Sequence, residues 1–508
     1  MDPRFAHDLP ENYYFGGGGD TFLTPAALLL LLLAVVALLM LPRRYVVVPL
    51  LVAGVLLPFN NTLVIGTIHL PVLRLLLLAG WARVAMQKDL RLPRMNLLDK
   101  AVLVWGLSNA ICYSLLWSSL SAAANRVGFL WTQLGTYFLL RIMIRNREDM
   151  LLAIKTLAWL LIGIAPLMLL EHRIGQNMFA ILGSPLVSEV RNGSIRAEGP
   201  LQHPIIAGTI AAMMLPVFVG AWWLTRSNFK LYAAGCVGSL MMAYSSASST
   251  PIVTCAAGIA ALALWRFRGY LRLMRWSAVG LLLLAHLLMK APVWMLLARV
   301  GGILGGSGYH RAMLIDGFVT HFSDWWLVGT RNNAFWGYDM WDVDNAFVGA
   351  GISGGLVTFL AFLAIVVFAF RLAGEGWHRA EEPEARFSWA LGCCLFANTV
   401  GYFGIVYFDQ SILLWYSVLV LVSVAAVTAP SEQPEEKPTA LRSGVAGTWR
   451  DRRSRLGLKQ PPPRIGASAP HVRGRSFSCA ELDLRQLVRL LCLGHSRPIR
   501  SGRGRRGE

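Results

Sequence analysis

The chain has 508 residues, 55% of them hydrophobic and 15% charged, with a formal charge of +19. A water-soluble domain carries about 25% charged residues, so the composition excludes an ordinary soluble globule. The apolar excess sits in long runs, and a hydrocarbon core about 30 Å thick demands about 20 such residues of a crossing helix.

The runs lack the period-2 alternation of barrel strands, and only helices or closed barrels satisfy the backbone in lipid. In chain order they predict spans at 22–41, a short one at 45–58, and others at 63–82, 101–119, 127–144 and 150–170. After a polar loop come 205–224, 231–244, 251–265 and 276–296, then a longer polar loop, then 346–370, 389–408 and 411–429. The expected fold class is all-α: a polytopic transmembrane helical bundle of about 12 spans (12 or 13, depending on the short second one). A polar segment at 1–21 precedes the membrane domain at 22–429, and a basic tail at 430–508 follows it. Run 22–41 is long enough to remain as a spanning helix rather than a cleaved signal.

Lys and Arg concentrate in cytoplasmic loops. Arg83, Lys88, Arg91, Arg94 and Lys100 share one loop, and Arg141, Arg145 and Arg147 another. Arg226 and Lys230, Arg266 to Arg275, and Arg371 to Arg386 make three more, and counting spans puts all five on one side. The loops at 172–204 and 299–345 then lie on the external face. The tail holds 17 Lys and Arg against 7 Asp and Glu, so it supplies +10 of the +19. Its Pro, Gly, Ser and Arg content predicts a disordered cytoplasmic extension. Few aromatics interleave with its arginines, so nucleic acid is not an expected partner; membrane lipids are.

No cysteine falls in the external loops, so no disulfide framework is expected. There is no P-loop and no GxGxxG; Gly16 to Gly19 reads as a linker. No metal-ligand spacing and no cofactor motif is present. His286 and Lys290 in span 276–296 read as interfacial or snorkelling groups, as do Glu171 and His172. Gly351, Gly354 and Gly355 predict close helix packing.

The chemistry is therefore expected in the external loops. In the first, Arg191-Asn-Gly-Ser-Ile-Arg196-Ala-Glu198-Gly-Pro-Leu-Gln-His203-Pro204 runs into a membrane helix. A solvated loop ending in a helix cap would explain the pattern. External arginines beside a span are under-represented, however, so Arg191 and Arg196 point to an anionic ligand. The second loop carries Tyr309, His310, Arg311, Asp316, His321, Arg331, Asp339, Asp342, Asp344 and Asn345, with four tryptophans including Trp336. Tryptophan suits the membrane interface, and its face also stacks on sugars. Residues 308–321 predict an amphipathic surface helix with Arg311 near its start.

Arg196-Ala-Glu-Gly-Pro-Leu-Gln-His203-Pro before a helix resembles the Arg-x-x-Gly-x-x-x-His-Pro signature of the bacterial O-antigen ligase and polymerase superfamily. Tyr309-His-Arg-Ala-Met-Leu-Ile-Asp-Gly, Trp326-Leu-Val-Gly-Thr and Asp344-Asn-Ala-Phe-Val-Gly-Ala-Gly resemble that family's second loop and its return into the membrane. The likeness covers residues 101–429. It implies a bacterial inner-membrane glycosyltransferase, active on the periplasmic face without metal or cofactor. The implied donor is an undecaprenyl-pyrophosphate-linked oligosaccharide, and the acceptor a growing glycan or the lipid A core. Arg196 and Arg311 match the family's two key arginines, which with Arg191 would hold the pyrophosphate. Asp344, His203 and Glu198 are the candidate bases for the acceptor hydroxyl; Asn345, Tyr309, His310 and Trp336 would support the sugar or the loop. Ligases of this family carry His where this chain has Asp344, and Asp-Asn there is more like exopolysaccharide polymerases. The resemblance therefore implies a polymerase, with a ligase as the alternative. An amphiphile transporter or flippase is the rival class, and would show matched repeats with interrupted helices.

Overall fold

The computed structural model describes residues 20–66, 68–87, 92–303, 307–408 and 410–428. Most of segment 1–21, the tail at 430–508, and Lys88 and Arg91 lie outside the described residues. The described chain is predominantly helical: α1 (Pro25–Met40), α2 (Val47–Leu56), α3 (Val72–Met86), α4 (Leu97–Trp117), α5 (Leu120–Met143), α6 (Arg147–Ile174), α7 (Pro204–Leu224), α8 (Phe229–Ser245), α9 (Ser249–Ala263), α10 (Leu271–Leu288), α11 (Leu296–Ile303), α12 (Gly308–Thr320), α13 (Phe322–Trp325), α14 (Ala346–Arg379), α15 (Glu382–Gly401) and α16 (Gln410–Thr428). Two antiparallel hairpins interrupt it, β1 (Thr62–Ile65) with β2 (Ile68–Pro71) and β3 (Glu189–Arg191) with β4 (Ser194–Arg196).

Among the described residues, six helical stretches are long and apolar enough to cross a membrane: α4, α6, α7, Ser249–Leu288, α14 and Gln410–Val427. Their starts follow from local chemistry. Asn96 and Asp99 form a reciprocal capping box on α4, Asn146 caps α6, and Ser119 caps α5. Such a cap stabilises by about 1 kcal/mol. On α10, Leu281, Leu282, Leu283 and Leu284 are each at least half exposed. So continuous an apolar surface suits lipid rather than water.

Three predicted spans are displaced, one of them 276–296, whose helix α10 starts at Leu271 and ends at Leu288. Nearly half of 63–82 is the β1–β2 hairpin, because β-branched residues flank Gly66, which sits at φ +61°; the helix starts only at Val72. The span at 389–408 becomes α15 at Glu382–Gly401, with a Pro in its first turn. Residues 402–408 then form an irregular connection to α16.

The basic residues used to orient the chain are mostly engaged. Arg83 is 2% exposed and donates to the Leu38, Leu39 and Leu41 carbonyls at 2.8, 2.7 and 2.6 Å, closing the end of α1. Arg141 makes a two-pronged pair with buried Asp99 at 2.9 and 3.1 Å. Arg43 reaches Asp149 at 2.9 Å and Arg147 reaches Glu384 at 3.1 Å. These contacts gather the ends of α1, α3 and α5 with the starts of α4, α6 and α15. At the opposite ends, Asn61 donates to the Leu182 carbonyl at 2.6 Å and Thr24 to that of Ile181 at 3.1 Å. Gln410 donates to the Leu57 and Pro200 carbonyls, each at 2.9 Å.

The predicted surface helix is α12, carrying Arg311 in its first turn. Its Leu314 and Phe318 pack with Trp325 and Trp336 against the start of α14. The close packing expected of the glycines takes a different form. Gly355 adopts φ +70° and breaks α14. The Leu356 amide then donates to the Trp326 carbonyl at 2.7 Å, and the Ile352 carbonyl accepts from the Thr330 amide at 3.0 Å. A Cβ on Gly355 would lie 2.5 Å from the Leu327 carbonyl oxygen. The break therefore seats the 326–330 loop, which in turn fixes α12 above the bundle.

Candidate functional site

The first loop is held from below by Glu171, fully buried near the end of α6. Its carboxylate accepts from the Glu198 amide at 2.9 Å, the Gly199 amide at 3.1 Å and the Ser188 hydroxyl at 2.9 Å. The sequence reading of Glu171 as interfacial is corrected: a buried carboxylate persists because three donors satisfy it. His172 donates to the Ile195 carbonyl at 2.6 Å, and the Ala197 amide to that of Ser245 at 3.0 Å. Strand β4 is thereby clamped between α6 and α8, and Arg196 is fixed on it.

Arg196 is 5% exposed; one guanidinium nitrogen donates to Glu189 at 2.7 Å, while its Nε is buried without a hydrogen-bond partner. Glu189 faces Arg196 across the hairpin register. Beyond the loop, His203 caps α7 through Nδ1, which accepts from the Ile206 amide at 3.4 Å. That places the ring proton on Nε2. Burial and the neighbouring Arg196 lower its pKa and keep the ring neutral.

The second loop supplies the facing wall. Arg311 Nε donates to Asp344 Oδ2 at 2.9 Å, and another guanidinium nitrogen to the Gly404 carbonyl at 3.2 Å. Asp344 Oδ1 is buried without a hydrogen bond, 3.6 Å from His310 Nδ1. His310 Nε2 donates to the Asp339 carbonyl at 2.9 Å. The Asp344 carboxylate, aided by the Asp339 carbonyl and opposed by burial, raises His310 to about 9. The imidazole is thus a cation at neutral pH. Burial, and then the charge of Asp344, raise the Asp342 carboxyl.

The two loops and the 402–408 connection enclose one cavity of about 840 Å³. Arg191, Arg196, His203, Tyr309, His310 and Asp344 all border it, together with Asp342. Its remaining wall is mixed, apolar at Ile205, Met313, Ile352, Ile405, Val406 and Phe408 and polar at Glu189, Ser307, Tyr338 and Asp339. The cavity therefore offers cations, a neutral imidazole N–H and carboxylates beside a greasy surface. Cationic donors of this kind suit phosphate oxygens, and the apolar wall suits a hydrocarbon.

Four sequence-singled residues stand elsewhere. Glu198 is buried and does not border the cavity; burial and then the Glu171 charge raise its pKa to about 7. Asn345 is 1% exposed and caps α14, accepting from the Phe347 and Val348 amides at 3.0 and 3.2 Å. Trp336 is stacked on His321 inside the aromatic cluster, because that cluster is what anchors α12. Arg311 lies behind Asp344 rather than on the cavity wall.

Other lining residues were not singled out from the sequence. Glu189 answers Arg196, and Tyr338 and Phe408 supply the aromatic faces that the tryptophans were expected to give. A carboxylate directly across a hairpin from Arg196 is legible once the Asn192-Gly193 turn is read as a hairpin. Phe408 carried no signal while it was assigned to a span. No protein-family model matches the chain, and a search of curated proteins finds no relative.

Proposed function

We propose that the chain is a membrane glycosyltransferase of the O-antigen polymerase kind, acting on an undecaprenyl-pyrophosphate-linked oligosaccharide at the external face of a bacterial inner membrane. The observation that carries this reading is the shared cavity: two loops far apart in the sequence bring Arg191, Arg196 and cationic His310 to one space with an apolar side. A lipid-linked diphosphate is anionic at its head and apolar at its tail, and the cavity has a surface for each.

Arg191 and Arg196 are assigned to the pyrophosphate. Glu189, half exposed, can yield Arg196 to an arriving phosphate and return to water. Asp344 is assigned as the base, since of the three candidates it alone borders the cavity with an oxygen that accepts no hydrogen bond and faces only the His310 ring. Arg311 orients it. In the step, the acceptor hydroxyl oxygen bonds to the anomeric carbon, its proton passes to Asp344 Oδ1, and the anomeric C–O bond breaks. Undecaprenyl pyrophosphate leaves with the bonding pair, its charge met by the guanidiniums and by His310. His203 Nε2–H donates to a phosphate or sugar oxygen and is not a base.

In this reading α1 to α10 and α14 to α16 are alternating crossings, the short α2 among them. The polar contacts joining the ends of α1, α3 and α5 to the starts of α4, α6 and α15 then lie at the cytoplasmic end and the cavity at the external end. Ligase activity towards lipid A core uses the same groups and differs in the acceptor. A carrier would call for two matched interrupted helices; the break in α14 is already occupied by the 326–330 loop.

Deletion and complementation test the proposal. With Arg196→Ala or Asp344→Asn, single repeat units on the lipid carrier are expected to accumulate and long surface chains to vanish. Long carrier-linked chains that never reach lipid A would make the protein a ligase, and unchanged surface glycans would refute transfer altogether.

A further inference from the structure

Behind the cavity the guanidinium of Arg311 packs against the 402–408 connection. Its Nε donates to Asp344 Oδ2 at 2.9 Å and a terminal nitrogen to the Gly404 carbonyl at 3.2 Å. Gly404 is buried and does not adopt a positive φ, so its backbone would accept a side chain. The space would not: a Cβ there would lie 2.8 Å from Arg311 Cζ and 2.7 Å from Thr250 Oγ1. Thr250 stands in the first turn of α9 and is 5% exposed, and its hydroxyl is buried without a hydrogen-bond partner. No helical carbonyl precedes it to take the usual bond back into a helix. A guanidinium and an unused hydroxyl therefore face the same bare Cα from two sides.

A buried hydroxyl without a partner destabilises a fold. For packing alone a valine would serve better at position 250, having the same shape without the stranded oxygen. The transfer step supplies a use for that oxygen. When Asp344 takes the proton of the acceptor hydroxyl its charge is lost, and the ion pair with Arg311 is lost with it. The Arg311 side chain is 11% exposed, and a guanidinium so enclosed needs another acceptor at that moment. Thr250 Oγ1 lies beside it and is free to accept.

We propose that Gly404 and Thr250 are positioning residues for the base: Gly404 leaves Arg311 the room to meet Asp344, and Thr250 Oγ1 accepts from the guanidinium while Asp344 is protonated. This rests on the transfer reading above. Arg311 then stays in place through the proton's arrival and departure, and Asp344 is returned to the same geometry for the next transfer. The start of α9, outside both external loops, thereby becomes part of the machinery.

The test applies two readouts to variants of the full-length protein in lipid nanodiscs. The methyl of Gly404→Ala meets the flexible end of Arg311, so the guanidinium moves off Asp344 while the backbone stays. A cation then leaves the vicinity of His310, and Asp344 is free to turn towards it; both changes favour the charged ring. The His310 midpoint, read from its ring resonances, is expected to rise above that of wild type. Transfer from a lipid-linked donor is expected to fall about 100-fold, the cost of a misplacement of about 1 Å. Thr250→Val is expected to melt no lower than wild type and to keep its KM, while kcat falls at least about tenfold. Thr250→Ser is expected to restore kcat. An unmoved His310 midpoint in Gly404→Ala overturns the role of Gly404. Wild-type kcat in Thr250→Val, or a Thr250→Ser as slow as Thr250→Val, overturns that of Thr250. The midpoint requires no turnover: an absence of transfer by wild type would remove the transfer reading and the role of Thr250 with it, while the midpoint still decides whether Gly404 places Arg311.

Discussion

The Asp344→Asn variant tests the electrostatics of the site at a single proton. In the native protein Asp344 sits between Arg311 at 2.9 Å and His310 at 3.6 Å. Its carboxylate is the largest cause of the rise of His310 to about 9. An unperturbed imidazole titrates at about 6.5, so the rise corresponds to at most about 3 kcal/mol in favour of the charged ring. The His310 side chain is 17% exposed, and solvent reduces that figure. With an amide in place of the carboxylate, the Asp339 carbonyl still favours the cation while burial opposes it. A clear fall of the His310 midpoint is expected.

The assay is a pH titration of histidine ring resonances in protein held in lipid nanodiscs, with His310→Gln assigning the signal. Because the folded value is raised, the stability that His310 contributes is fully present below about 6.5, the unfolded value, and is lost as pH rises through about 9. Wild-type thermal stability should therefore decline between these limits more steeply than that of Asp344→Asn. A His310 midpoint that moves by less than half a unit would refute the argument, and with it the count of cations facing the cavity.

Glu198→Gln should behave oppositely to an ordinary carboxylate replacement: its folded pKa is raised to about 7 by burial and Glu171, so its ionisation destabilises the fold as pH rises from about 4.5 through 7. At pH 8 the variant should melt higher than wild type, by up to about 2 kcal/mol after allowance for screening, and an unchanged midpoint in scanning calorimetry would count against the buried acid pair. His203→Asn keeps a good helix cap and loses the ring, so it should retain the wild-type melting temperature yet fail to restore long glycans; His203→Ala should also lose about 1 kcal/mol. Arg196→Gln should lower transfer by about 100- to 1,000-fold in a lipid-linked donor assay, the usual cost of one charge-stabilising donor. Asp99→Asn strands buried Arg141 and should cost about 3–5 kcal/mol, read as loss of folded protein in detergent.

What the sequence disclosed was the part governed by local pattern. Apolar runs locate the long helices, because crossing lengths and backbone satisfaction leave few options. The first loop was legible too: Pro204 and His203 mark the start of α7, and Arg191 and Arg196 stand out against a rule that disfavours them. The failures share a cause. Thr62 to Pro71 is apolar enough for a helix, and only the glycine at positive φ and the β-branched flanks turn it into a hairpin. Asn345 and Trp336 are residue types that bind sugars, but a cap and an aromatic anchor use the same chemistry. Glu171 and Gln410 hold the loop by long-range contacts that no local window contains.

The two arginines that the sequence treated as equivalent differ in the company they keep. Each faces a carboxylate of its own loop, so neither presents a bare charge. Glu189 is half exposed, and its carboxylate regains water when it leaves Arg196. Asp344 is 14% exposed and has Arg311 on one oxygen and His310 near the other. Leaving Arg311 would strand a buried carboxylate, which costs several kcal/mol, about the scale of a broken buried pair. Under the proposed transfer, an incoming diphosphate would exchange with Glu189 and not with Asp344. In that proposal Arg196 is the ligand of the leaving group, and Arg311 the fixed support of the base. The unpartnered Nε of Arg196 supplies the additional donor that a diphosphate requires and a single carboxylate does not fill.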